Sequence, residues 1–130
     1  MGTLSDPLRQ KAADAVANAF EAADSVLEIG TSAMGTVLAT FDIAATQPAA
    51  DASGVWTLDF DADTVVASGT GTAAAAQIRD DTAAPSDTIT GLTVTITSGG
   101  GDVELDGLGI TSGQNVTLTS VTITMPAATA

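Results

Sequence analysis

Cysteine, histidine and tyrosine are all missing from this chain, and each absence removes a class of chemistry. Without cysteine there are no disulfides and no thiolate metal sites, and the redox compartment cannot be read from thiol usage. Without histidine, cysteine and tyrosine the usual general bases and nucleophiles are gone, and the serines fall in turns with no evident activating partner. Cations are scarce as well. Arg9, Lys11 and Arg79 stand against sixteen acids, for a net charge of −13. Such a surface repels a phosphate backbone or an anionic membrane, so neither nucleic acid nor membrane is expected as a partner. Aromatics are few too: Phe20, Phe41, Trp56 and Phe60.

No apolar run approaches the ~20 residues of a membrane span, and the first residues lack the basic start, apolar run and small-residue cleavage site of a secretory signal. The chain is read as soluble, with nothing directing export. Its 130 residues fit one domain. The 45% hydrophobic content is largely alanine, so burial per position is low. Marginal stability as a monomer, and help from a partner, are expected.

What is present is a two-residue period. From Gly91 to Pro126 (GLTVTITSGGGDVELDGLGITSGQNVTLTSVTITMP) short apolar/Thr alternations are separated by glycine-rich turns, the pattern of antiparallel strands with one face inward. Leu92, Val94 and Ile96 point one way, and Gly99-Gly100-Gly101 is expected to reverse the chain into a hairpin with Val103 and Leu105. The apolar phase then changes between Val116/Leu118 and Val121/Ile123/Met125, which predicts a bulge near Thr119 or Ser120. Upstream, Val26–Ile29 reads as a brief strand. Val37, Ala39, Phe41 and Ile43 alternate with Thr36, Leu38, Thr40 and Asp42. Trp56, Leu58 and Phe60 form the heaviest inward set. Ala73–Ile78 is read as strand, and Arg79–Thr88 as a surface loop. The expected core is Phe41, Trp56, Leu58, Phe60, Leu92, Val94, Ile96, Leu118 and Ile123. The fold class is mainly β, an antiparallel β-sandwich or Greek-key-like module with one N-terminal α-helix.

That helix is predicted over Pro7–Ala23, with Asp6 as cap and Pro7 at the first position. Leu8, Ala12, Ala15, Val16, Ala19, Phe20 and Ala23 share one face. The division is a helical arm over 1–24 and a β-module over 25–130, one compact domain overall. Two readings of the helix stand: docking on its own sheet, or an arm that meets a neighbouring subunit through Leu8, Ala12, Ala15, Val16, Ala19 and Phe20.

Several patterns invite chemistry. Asp59, Asp61 and Asp63 form DxDxD, the opening of a calcium loop, but Thr64 and Thr70 occupy the places where that loop needs Gly and Glu. An exposed strand end is preferred to a weak cation site. Asp102, Glu104 and Asp106 read as a solvated face. A carboxylate pair acting on a glycoside would need aromatic sugar platforms, which are nearly absent. Gly69-Thr70-Gly71 lacks the lysine of a phosphate loop, and the Asn115-Val116-Thr117 sequon matters only in a eukaryotic secretory setting. No catalytic residue and no cofactor is expected.

One resemblance covers most of the chain. The Ala-rich N-terminal helix, LEI, GTVLATF, GVWTLDF, VVASGTGTA with QIRD, and the closing GDVELDGLGITSGQNVTLTSVTITMP together are similar to a group of small virion-associated proteins of tailed bacteriophages and prophages. Leu105 to Pro126 is the most specific part. The resemblance implies a non-enzymatic structural protein that decorates or cements the outer head surface, with the major capsid protein and copies of itself, as a trimer, for partners. A tail-tip or fibre module binding a host glycan or protein is the alternative.

Overall fold

The computed structural model describes residues 5–21, 25–80 and 88–124. Ala23, residues 81–87 of the expected loop, Met125 and Pro126 lie outside them. Among the described residues no helix is long and apolar enough to cross a membrane.

Helix α1 spans Asp6–Glu21. It begins one residue earlier than predicted: the Ser5 carbonyl accepts from Arg9 N at 2.9 Å, and the Asp6 carboxylate pairs with Arg9 Nη1 at 3.1 Å. The buried stripe is Ala13, Ala17 and Phe20, with Val16 packed beside it. This corrects the predicted phase. Leu8 is 49% exposed, Ala15 is exposed, and Ala12 and Ala19 are half-buried. Alanines at 12, 13, 15, 17 and 19 suit several faces equally, and the aromatic Phe20 decides which one turns inward.

The first sheet has the order β2-β1-β6-β7, antiparallel throughout, from β1 (Ser25–Gly30), β2 (Val37–Asp42), β6 (Ala75–Asp80) and β7 (Thr88–Leu92). The second runs β3-β11-β9-β8, from β3 (Val55–Thr57), β8 (Val94–Ile96), β9 (Val103–Leu105) and β11 (Asn115–Thr124), with β4 (Thr64–Val66) also paired to β11. A small ribbon joins β5 (Gly71–Thr72) to β10 (Gly109–Ile110). Leu27, Ile29, Phe41 and Ile78 of the first sheet and Trp56, Val103, Leu105, Val116, Leu118 and Val121 of the second belong to one apolar cluster. The protein is thus mainly β and sandwich-like, with a helix at its N-terminal end. Against β9, β11 shifts register between Leu118 and Ser120, which is the predicted bulge.

Three expectations fail on the strands. Leu38 is fully buried although its alternation pointed it outward; the segment with Gly69 and Gly71 covers it, and Ser68 N donates to the Leu38 carbonyl at 2.9 Å. β6 continues through Arg79 and Asp80 rather than yielding to a loop, because Val26 and Ser25 pair with them. Most notably, β8 and β9 are parallel, Val94 opposite Val103 and Ile96 opposite Leu105, not a hairpin. The intervening chain curls back on itself: Gly99 N bonds the Ile96 carbonyl, Ser98 and Gly100 adopt φ of +67° and +83°, and Val103 N reaches the Thr93 carbonyl. Ile96 is consequently 55% exposed, outside the predicted core, and Val94 is only half-buried.

Candidate functional site

Trp56 and Phe41 are fully buried, and Leu58, Leu92 and Leu118 are buried. Phe60 and Ile123 are partly buried against them. The Trp56 ring stacks on Phe20 with centroids 6.3 Å apart, and Phe60 meets Phe41 edge-on at 6.2 Å. Trp56 is therefore a core residue. Its indole N–H donates to Gln47 Oε1 at 3.3 Å, and the same amide accepts from Asp59 N and donates to the Ala44 and Asp59 carbonyls. Gln47 thus pins the 44–54 loop across the strand end.

Of the residues weighed for a subunit contact, Phe20 points into this core, Val16 packs at its edge, and Leu8, Ala12, Ala15 and Ala19 stay exposed or half-exposed. The helix is seated on its own module. Gln10 Nε2 donates to the Ala50 carbonyl at 2.9 Å, and Asp14 Oδ1 accepts from Ala50 N at 2.7 Å.

Asp59, Asp61 and Asp63 are exposed at the end of β3 and the turn after it. Among the described residues no group of three potential ligands is placed to hold a metal ion. Asp59 and Asp63 instead flank a hollow of about 210 Å³ beside the β11 bulge, floored by Leu58, Phe60 and Leu118.

Asp102, Glu104 and Asp106 are more than a solvated face. Asp102 Oδ2 accepts from Thr93 N at 3.0 Å and Thr93 Oγ1 at 3.1 Å. The two oxygens of Glu104 take Ser98 N and Gly100 N at 3.2 and 3.0 Å. Asp106 Oδ1 takes Thr117 N at 3.2 Å. A tight loop exposes backbone donors that need acceptors: Glu104 supplies them inside the β8–β9 turn, Asp102 ties the end of that turn to Thr93 just before β8, and Asp106 ties the chain after β9 to β11.

Glu28, which the sequence reading did not single out, is an acid whose pKa its surroundings shift. It lies on the outer face of β1, opposite Gln77 of β6, with its side chain only 12% exposed. Arg79 Nε and Nη2 reach Oε1 and Oε2 at 3.1 and 3.3 Å, and Gln77 Nε2 reaches Oε1 at 2.7 Å. Burial pushes this carboxyl up, but hydrogen bonds from Arg79 and Gln77 and the guanidinium charge outweigh it, so its pKa lies below the ordinary glutamate value. Glu28 is thus an ionised carboxylate at neutral pH and no proton donor there. A glutamate in an otherwise apolar LEI strand was the available signal, since a half-covered carboxylate needs a cation and the chain has only three.

A larger hollow, about 510 Å³, opens between the short 3-10 turn Ser32–Met34 and the β6–β7 edge, lined by Ala33, Met34, Ala75, Gln77, Thr90 and Leu92 among others. It carries a largely small-residue wall and no ionisable side chain. Comparison of the chain with protein-family models, curated proteins and solved structures finds no match.

Proposed function

We propose that this chain is a non-enzymatic structural protein of a phage virion that decorates or cements the outer surface of the head, with the major capsid protein and copies of itself as partners. The observation that carries this reading is where the resembling segment falls. Leu105 to Pro126 contains β10 and all of β11, and β11 pairs with β3, β4 and β9. The likeness therefore resides in the strand that organises the second sheet. Asp102, Glu104 and Asp106 hold backbone donors and Glu28 holds Arg79, which is architectural work. A net charge of −13 favours the outside of a head over contact with packaged DNA.

The test is to add purified protein to undecorated particles, sediment them and image the pellet. Regular density on heads is the expected result. Binding to tail components or host cells, with bare heads at low and physiological salt, overturns the reading in favour of an appendage module.

A further inference from the structure

The connection between β1 and β2 is built against its backbone preference. Ala33 and Met34 follow one another at φ of +56° and +57°, the left-handed region that costs a residue with a side chain free energy. Such a pair persists only where its surroundings hold it. Backbone bonds do part of this: Thr31 N donates to the Thr36 carbonyl at 3.0 Å, Met34 N to the Thr31 carbonyl at 2.8 Å and Gly35 N to the Ser32 carbonyl at 3.2 Å. Thr36 N adds a bond to Thr31 Oγ1 at 2.9 Å.

The rest comes from one side chain. Met34 lies over Gly30, the last residue of β1, so closely that a Cβ on that glycine would stand 2.9 Å from both its Sδ and its Cε. Gly30 leaves a notch, and the thioether fills it where β1 shifts register against β2. The Thr36 carbonyl oxygen borders the same notch, also 2.9 Å from the missing Cβ. Met34 is nonetheless only half-buried, and it lines the hollow of about 510 Å³, which gives a small solute an open approach. The chain has no cysteine, so sulfur chemistry falls to Met1, Met34 and Met125.

We infer that Met34 is an oxidation site whose thioether latches the 31–36 turn onto β1, and that a peroxide releases it. A sulfur lone pair attacks one peroxide oxygen, the O–O bond breaks, and the proton of the transferred oxygen passes to the departing one, leaving a sulfoxide and water; sulfur gives up two electrons and the peroxide takes them. The sulfoxide is polar and larger than the thioether that already fills the notch. Its oxygen has no hydrogen to donate, and the polar atom at the rim is a carbonyl, another acceptor. The oxidised side chain therefore leaves Gly30, and Ala33 and Met34 relax from the left-handed region. Reduction of the sulfoxide reseats the latch. The inference does not rest on the capsid reading, and the two fail separately.

The experiment treats the full chain with hydrogen peroxide and follows it by peptide mass spectrometry and amide exchange, with Met34→Leu alongside, a substitution that keeps the volume and forms no sulfoxide. In the folded chain Met34 is expected to gain one oxygen, and the amides of residues 31–36 to exchange about tenfold faster or more. Methionine sulfoxide reductases of both stereospecificities, with a thiol reductant, should restore the slow exchange. Met34→Leu retains Met1 and Met125 and should show no response in the turn. The proposal is overturned if Met34 stays unmodified while the chain is folded, if its oxidation leaves the exchange of residues 31–36 as it was, if reductase fails to reverse the change, or if the leucine variant responds equally. Exchange is compared on the unsubstituted chain before and after peroxide, so the decision does not require the variant to fold.

Discussion

Phe20 and Trp56 stack with their ring planes 15° from parallel, and through that contact the helix becomes part of the core. Phe20 is buried and Trp56 has no exposed surface. Truncating either to alanine should cost about 3–5 kcal/mol in urea unfolding. A loss under about 1 kcal/mol for Phe20→Ala would mark the helix as a dispensable arm. Likewise, a chain lacking residues 1–23 should aggregate or unfold, and a soluble, cooperatively folding product would refute the seating described here.

Removing one partner of the Glu28–Arg79 pair leaves a covered charge without its counterion. Arg79→Ala should cost about 3 kcal/mol, the low end for breaking a buried pair, because the guanidinium side is partly solvated. Glu28→Leu combined with Arg79→Met should recover part of that loss, since two apolar side chains leave no orphaned charge. A double variant less stable than the single one would show that the pair contributes net stability.

The sign of the acid response follows from the same carboxyl. Glu28 has a folded pKa below its unfolded value of ~4.3, so the unfolded chain takes up the proton first. Its contribution is fully present above that value and is lost as pH falls through the folded pKa. Urea midpoints measured from pH ~7 to ~3 should therefore fall less steeply at the acid end for Glu28→Gln than for the unsubstituted chain, although the variant starts lower at neutral pH. Parallel acid limbs would show that other carboxylates govern the response.

Two glycines with similar backbone angles should respond differently. Gly100 has φ of +83° and open space where a Cβ would stand, whereas a Cβ on Gly54, at φ +80°, would meet Arg9 Cβ at 2.8 Å. Gly100→Ala should cost about 1 kcal/mol from the left-handed conformation alone. Gly54→Ala adds a clash with the helix and should cost at least about 2 kcal/mol. Equal losses would mean that α1 shifts freely on its seat.

Calcium should not bind in a saturable way at Asp59, Asp61 and Asp63, whose exposed run lacks the late bidentate carboxylate of a calcium loop. Calorimetry showing micromolar binding that vanishes in Asp61→Ala would reverse this.

The strand content, the burial of Phe41 and Trp56 and the bulge at Thr119 were legible because each is a local matter of period and phase. Strand direction was not. The alternation of Leu92-Val94-Ile96 is the same whether β9 runs with or against it, and the decision lies in Glu104 gathering the loop's amides while Asp102 takes Thr93 N just before β8. The face of α1 was illegible for the opposite reason, a surplus of alanines with no contrast between them. The Glu28–Arg79 pair joins strands that lie far apart in sequence, and no spacing rule along the chain connects them.

Every partner of β11 is translated before it. β3, β4 and β9 precede Asn115–Thr124 in the chain, and β11 lies between them as the element to which all three hydrogen-bond. During synthesis the second sheet has no centre until this strand leaves the ribosome, and Trp56 must wait on Ile123, its register partner. Such pairings raise the contact order and place refolding in the millisecond-to-second range expected of β-sandwiches. For that interval the nascent chain exposes the apolar strands that the finished protein hides, and the surplus of negative charge along it keeps neighbouring chains apart.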